Sequence, residues 1–402
     1  MVIETVPPEI FFQERMTTKK PNLAFFLELG GSLEEWNDVG FFSREISLYN
    51  RLAREFFGTI YIFTYGGEKD RSFSAYLEKN IVVIPRGRRS KNYFNNFLYE
   101  ISMPFRHWRI LKHCDIFKTN QNSGGIAASI AKILFPSKKL VIRSGYIGSE
   151  LGKKTLSFIV KLYYFFAENI SYRLCDHILI PTEDAHNLSK KYPFTKGKIT
   201  KLNNFIDTAI FRKKSGNESN KKFDIIYIAR FTTIKNHILL LNSIKKRNIR
   251  GLFIGKGETE NYIKSLGKKF SIDLTFLNSV PNNELPQYYN SAKICAFPSL
   301  HEGCPKSLLE AMSCEVPIVA LDSPGVSNII QNEKNGLIGP ESSFQSNLFR
   351  LLGDSTLRDT LGKNGRKTIL DEYSFDIIFE KEIRAYRDLL NKKMGDPEGS
   401  PK

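Results

Sequence analysis

Glu302 and Glu310 bracket the run Gly303-Cys304-Pro305-Lys306-Ser307-Leu308-Leu309. Apolar residues before it predict a strand ending at Phe297. Pro305 then predicts a helix start, because the first turn of a helix requires no amide donor there. Free amides at such a start attract an anion such as a diphosphate. Glu302 falls before the helix and Glu310 about two turns along it, so both are expected to face one cleft at different depths. A carboxylate only accepts hydrogen bonds, which suits sugar or ribose hydroxyls. A capping glutamate plus a solvated one is the plainer reading of the same spacing.

Arg230 and Lys235 form a second constellation, in Ile228-Ala229-Arg230-Phe231-Thr232-Thr233-Ile234-Lys235-Asn236-His237. Arg230 directly follows a strand pattern and Lys235 opens the next helix. A planar guanidinium fork beside a point charge makes a diphosphate clamp; two solvated surface cations are the alternative. Gly30-Gly31 and Gly255-Lys256-Gly257 also follow apolar runs. Each is either a close backbone approach to phosphate or an ordinary strand-to-helix turn. Asn203 to Asp207 is expected at a hinge or in a plain turn.

The elements that must hold these residues alternate. Leu23–Leu29, Thr59–Phe63, Ile81–Ile84, Asp115–Lys118, Leu140–Arg143 and Ile178–Ile180 are strand candidates separated by helical patterns. Phe223–Ala229, Gly251–Ile254, Leu274–Leu277, Ile294–Phe297 and Pro317–Ala320 repeat the rhythm. Near-continuous apolar strands imply parallel sheets covered on both faces. The polar run Lys213 to Lys222 reads as the linker joining two doubly wound α/β domains. Their cleft would lie at the carboxyl ends of both sheets, where open α/β sheets bind ligands. The tail 395–402 is expected to fray.

The 402 residues suffice for two or three domains, and 41% hydrophobic with 25% charged residues argues against wholesale disorder. Lys+Arg 59 against Asp+Glu 42 leaves a net charge of +17, so anionic partners are expected. Five cysteines without CxxC spacing point to a reducing compartment and away from disulfides or zinc. Residues 1–20 show no signal-peptide pattern, and Leu156–Tyr172 is cut by Lys161 and Glu168. These features lead us to expect a soluble, cytoplasmic protein.

Taken together the motifs resemble the family 4 glycosyltransferases, strongly from about Asn203 to Tyr386 and more loosely before. Glu302 and Glu310 match that family's E-x7-E motif; Arg230 and Lys235 match its R-x4-K pair. Asn204-Phe205-Ile206-Asp207 resembles its opening of the second domain, with Phe205 in place of glycine. Phe276 to Ser299 is similar to its nucleobase-receiving segment, and Tyr373-Ser374-Phe375 to its return crossover. The resemblance implies a GT-B fold: an acceptor-side domain over 1–203, a nucleotide-sugar domain over 204–375, and a helix over 376–394 returning to the first.

It further implies a retaining hexosyltransferase acting on a nucleoside-diphosphate sugar, with no cofactor and no metal. Glu302, Arg230 and Lys235 would be catalytic. Glu310, Gly303, Cys304, Lys306, Ser307, Gly30, Gly31, Gly255 and Val280 would hold the donor. Pro305 and Lys306 stand where the family often has Gly and an aliphatic residue. No histidine occurs in Val141-Ile142-Arg143-Ser144-Gly145-Tyr146, so Arg143 and Tyr146 become the acceptor-side candidates. The acceptor would be a saccharide or lipid-linked saccharide of polysaccharide, lipopolysaccharide or glycolipid assembly.

A non-transferring relative, such as a phosphorylase, sugar-nucleotide epimerase or sugar-binding protein, is the second reading. Nucleic-acid binding is the third, supported by charge alone. Between Arg86 and Lys161, fifteen Lys/Arg face three acids, interleaved with Tyr93, Phe94, Phe97, Tyr99, Phe105 and Trp108. That segment is expected either to meet an anionic membrane surface, placing the chain peripherally on the inner face of the cytoplasmic membrane, or to be a solvated basic face with its aromatics in the core.

Overall fold

The computed structural model describes residues 19–40, 42–145, 158–214 and 221–391. Strands β1 to β7 (Leu23–Phe26, Ile60–Phe63, Ile81–Ile84, Ile116–Thr119, Lys139–Arg143, His177–Ile180, Ile199–Lys201) form a parallel sheet in the order β3-β2-β1-β4-β5-β6-β7. Its helices are α1 (Leu33–Asp38), α2 (Phe42–Glu55), α3 (Tyr93–Arg106), α4 (Trp108–Leu111), α5 (Gly125–Leu134), α6 (Phe158–Leu174) and α7 (Thr182–Lys191).

A second parallel sheet, in the order β10-β9-β8-β11-β12-β13, comprises β8 to β13: Phe223–Ile228, Arg250–Ile254, Asp273–Leu277, Ala292–Phe297, Ile318–Leu321 and Leu337–Gly339. Around it lie α8 (His237–Ile244), α9 (Glu260–Lys269), α10 (Leu285–Asn290), α11 (Lys306–Ser313), α12 (Glu341–Gly353) and α13 (Ser355–Thr368). Helix α14 (Phe375–Asn391) follows. No helix among the described residues is long and apolar enough to cross a membrane.

Strand β1 shows why these runs become central strands. Leu23 and Phe25 enter one hydrophobic cluster with α2 and α14, while Ala24 and Phe26 enter another with α3 and α5. Alternate side chains of a strand face opposite ways, so an apolar run is satisfied only where helices cover both faces. Ile378, Phe379, Ile383, Tyr386 and Leu389 of α14 complete the first cluster, so the chain returns to the first sheet.

Two strands escaped the sequence pattern, β7 and β13. Each has three residues and lies at a sheet edge, too short for alternation to register. Strand β1 stops at Phe26 rather than Leu29, because the Gly31 amide turns back to the Glu28 carbonyl at 2.8 Å.

The join between the domains also differs from expectation. Phe205 packs with the first domain and Ile206 with the second, ahead of the polar run. The described ends of that run both belong to the second domain: Lys213 pairs with Glu315 at 3.2 Å, the Lys214 amide bonds Asn290, and Lys221 caps the Asn290 carbonyl. The true crossing is paired with the return one. Ile206 donates to Tyr373 O at 2.9 Å and accepts from the Phe375 amide at 3.0 Å.

Candidate active site

In each sheet the connections run outward in opposite directions from one central strand pair, β1–β4 in the first and β8–β11 in the second. Such switch points leave a crevice at the carboxyl ends of the strands.

At the second switch point, the loop after β8 carries Arg230 and Lys235, and the loop after β11 carries Glu302 to Pro305. Arg230 is exposed, and its side chain makes no hydrogen bond or ion pair among the described residues. Lys235 donates from Nζ to Glu302 Oε1, with both side chains largely buried. Tyr227, on β8, braces this arrangement: its hydroxyl donates to the Lys235 carbonyl at 2.8 Å and lies 3.0 Å from Ser299 Oγ. Rather than opening α8, Lys235 ends a short 3₁₀ turn, and Asn236 at φ 50° precedes the helix.

Three glycines keep these loops close. A Cβ on Gly255 would lie 2.1 Å from the Ala229 carbonyl oxygen, and one on Gly257 2.2 Å from that of Phe231. The turn after β9 therefore supports the Arg230 loop by backbone contact, which accounts for its glycines. Gly325, at φ 82°, lies against the Glu302 and Gly303 carbonyls in the same way. Nothing in its sequence context distinguished it beforehand.

Pro305 immediately precedes α11, as its chemistry suggested. Glu310 is therefore about one turn into the helix, not two, and it is buried. Its carboxylate accepts from Asn282 Nδ2 and from the Tyr289 hydroxyl, each at 3.0 Å. Burial pushes its pKa up, against the opposing pull of Arg44, Asn282, Tyr289 and Lys306. The Ser307 carbonyl accepts from the same Tyr289 hydroxyl at 3.0 Å. Val280, partly buried, packs against the second domain's core near Asn282.

Across the cleft, a cavity at the carboxyl edge of the first sheet is lined by Glu28, Arg44, Glu45, Asn120 and Arg143, and by Lys306 from the second domain. Lys306 Nζ lies 3.5 Å from Glu45 Oε1, and Arg143 Nη1 3.7 Å from Glu45 Oε2. Burial disfavours the Glu45 charge, yet Lys306, Arg44 and Arg143 outweigh it and hold the carboxyl well below the usual range. Lys306 itself is pushed down to about 8 by burial and by Arg44, against the pull of Glu45. The domains also meet where Asn204 Nδ2 donates to the Cys304 carbonyl at 2.8 Å. A Cβ on Gly303 would sit 3.7 Å from the Gly145 carbonyl oxygen.

The expected site residues thus divide. Arg230, Lys235, Glu302, Gly303, Cys304, Lys306 and Ser307 gather along the second sheet's edge, and Arg143 faces Lys306 from the first. Gly30 and Gly31 stand apart in the first domain, where the space beside them is filled by Asn96 and Glu28 side chains. Glu28 is the group that reaches the cavity, bonded to Trp36 and Asn120. Tyr146 and the tail 395–402 lie outside the described residues. Arg44 and Glu45 were missed: two adjacent charges near the start of an amphipathic helix carry no signal of a cleft.

Comparison with known proteins follows this division. Residues 208–368 match the family described as Glycosyl transferases group 1. The capsular polysaccharide biosynthesis glycosyltransferase CapM of Staphylococcus aureus is 30% identical over 191 residues, 44% of this chain and 49% of that protein. The O-antigen chain mannosyltransferase RfbU of Salmonella typhimurium is 26% identical over 219 residues, 50% and 61% of the two chains. The chain therefore spans about half the length of the curated relatives it matches.

Among solved structures, Anabaena HepE in complex with UDP and glucose is similar with a TM-score of 0.70 at 13% identity, covering 92% of this chain and 100% of that one. Sucrose-phosphate synthase from Thermosynechococcus elongatus reaches 0.74 at 16% identity, covering 92% and 99%. At such identities the likeness is one of fold, and the fold is GT-B.

Proposed function

We propose that the chain is a retaining glycosyltransferase that moves a hexose from a nucleoside-diphosphate sugar to a saccharide or lipid-linked saccharide in surface-polysaccharide or related glycolipid assembly. The observation that carries this reading is the meeting of Arg230, the Lys235–Glu302 pair and the start of α11 at one switch point, opposite a polar cavity across the cleft. The relatives named for capsule and O-antigen synthesis support transfer over a non-transferring role. HepE, solved with UDP and glucose, supports the donor class.

On this reading Arg230, Lys235 and the amides following Gly303 receive the diphosphate, Glu302 accepts from donor-sugar hydroxyls and Glu310 from the ribose. The bond from the anomeric carbon to the phosphate oxygen breaks, and the acceptor oxygen bonds that carbon on the same face. The acceptor's proton passes to the departing phosphate, so no protein base is assigned. Cations fixed where charge develops lower the barrier without reorganising, and we assign no metal to the step. Calorimetric titration with UDP and GDP, followed by product anomer determination with the matching donor, tests the proposal. An inverted anomer removes the retaining mechanism; absence of nucleotide binding removes the whole reading.

A further inference from the structure

Helix α3 is amphipathic in the inverse of the usual sense for its outer face. Asn96, Tyr99, Glu100 and Met103 are buried, while Phe94, Leu98, Ile101 and Phe105, spaced by four, three and four residues, stand exposed on the opposite side. Trp108 on α4 extends the stripe. Beside it α6, joined to α3 by the Phe97–Tyr163 ring contact and a Tyr163–Glu100 hydrogen bond of 3.0 Å, exposes Leu162, Phe165, Phe166 and Ile170. Phe94 is 66% exposed and Phe105 54%, so each presents at least half of its surface to solvent. Contiguous apolar surface of this kind marks an interaction site.

Charge decides what it meets. A cavity at the start of α3 is lined by Arg86, Arg88, Arg89, Lys91 and Arg106, and no carboxylate lines it. Arg89 is answered by Glu34 and Glu35, and Arg86 donates to Asn96. Arg88 and Lys91 are exposed and have no partner among the described residues. Arg109 and Lys112 flank the other end of the stripe, also exposed. The sole acid of α3, Glu100, is buried. We propose that the α3–α4–α6 face docks on an anionic lipid bilayer, its aromatic and aliphatic stripe at the headgroup boundary and a lipid phosphate in the Arg88–Lys91 cavity. A protein partner would need a complementary acidic face on its own apolar patch, whereas an anionic bilayer presents both together.

The inference does not depend on the transfer reading: vesicle binding by a chain without donor turnover would leave it standing. Co-sedimentation of the full chain with phosphatidylcholine vesicles, with or without phosphatidylglycerol, tests it at low and high salt. Binding is expected on the anionic vesicles and is expected to loosen with salt. Each cation at such a surface raises partitioning about fivefold, so Arg88→Ala with Lys91→Ala should lower it on the order of twentyfold. Leu98→Asp with Phe105→Asp, at exposed positions where the circular dichroism is expected to stay unchanged, should abolish it. Equal binding to both vesicle types, or charge variants that bind like the parent, overturns the proposal. So does a dimer in sedimentation velocity, dissolved by the Asp variants, without vesicle binding.

Discussion

At the β8–β11 switch point Arg230 stands exposed and without a partner among the described residues. At β1–β4, Lys118 is completely buried, its ammonium 2.6 Å from Glu382 Oε1 and 3.1 Å from the Tyr49 hydroxyl. Burial works against the Glu382 charge, and Lys118 with Arg143 outweighs it, so Glu382 is held below its usual range. One construction, two parallel strands diverging, is put to opposite uses. The second domain leaves the Arg230 side chain free for an anion; the first ties its charges to one another and presents a polar wall. Charge kept at a cleft without a local partner costs little while solvated, whereas charge inside a core must be paired.

The largest expected effect tests the buried half. Lys118→Met leaves Glu382 unpaired and should cost about 3–5 kcal/mol in urea unfolding. Adding Glu382→Met should recover most of it. A single-variant loss below about 1 kcal/mol would mean that the pair is not held as described.

Next comes Glu100, raised to about 8 mainly by burial. The folded protein keeps this proton while the unfolded chain releases it near the ordinary glutamate value of 4.5. Stability is therefore complete below about pH 4.5 and is lost as pH rises through about 8, at roughly 1.4 kcal/mol per pH unit. Glu100→Gln should remove that slope in thermal melts across the window. An unchanged slope would assign it to other groups.

Arg230→Ala sharpens the contrast from the open side. Stability should move by no more than about 0.5 kcal/mol. Affinity for the nucleoside diphosphate that binds should fall roughly ten- to a hundredfold, as expected for a charge-assisted contact of about 1.5–3 kcal/mol. Destabilisation with intact affinity would reverse the comparison.

The smallest effect concerns the border between the two regions. Lys306, pushed down to about 8, carries its charge below that pH and loses it above. Nucleoside-diphosphate affinity should be level up to about pH 8 and decline severalfold beyond. Lys306→Arg should stay level, because guanidinium does not titrate there. A parent profile flat to pH 9.5 would place Lys306 outside the anion's reach.

The same contrast explains what could be read in advance. Arg230, Lys235 and Glu302 lie two, seven and five residues past strand ends, so local pattern placed them at the sheet's carboxyl edge, and the matched family region covers only the second domain. The first domain's wall joins Glu28, Glu45, Asn120 and Arg143 from four separate segments, with Glu382 behind them. Nothing in the local sequence around Glu45 or Lys118 announces such partners. Glu310 fell between the cases: its helix was legible, but its burial under Tyr289 depended on a helix lying elsewhere in the chain. The glycine turns were ambiguous because close backbone packing and phosphate approach require the same residue.

The paired crossings at Ile206 and Ser374–Phe375 carry one more consequence. The chain leaves the first domain and comes back at a single spot, with the two segments hydrogen-bonded side by side. Topologically, everything between them is a cassette with adjacent ends, which can be exchanged for another of its kind without rethreading the host. The second domain's cleft residues can thus change while the first domain's polar wall and its buried charges stay as they are. A chimera that keeps residues 19–205 and 375–391 and takes its middle from a relative must match this one covalent seam and the cleft contacts of Lys306 with Glu45 and of Cys304 with Asn204.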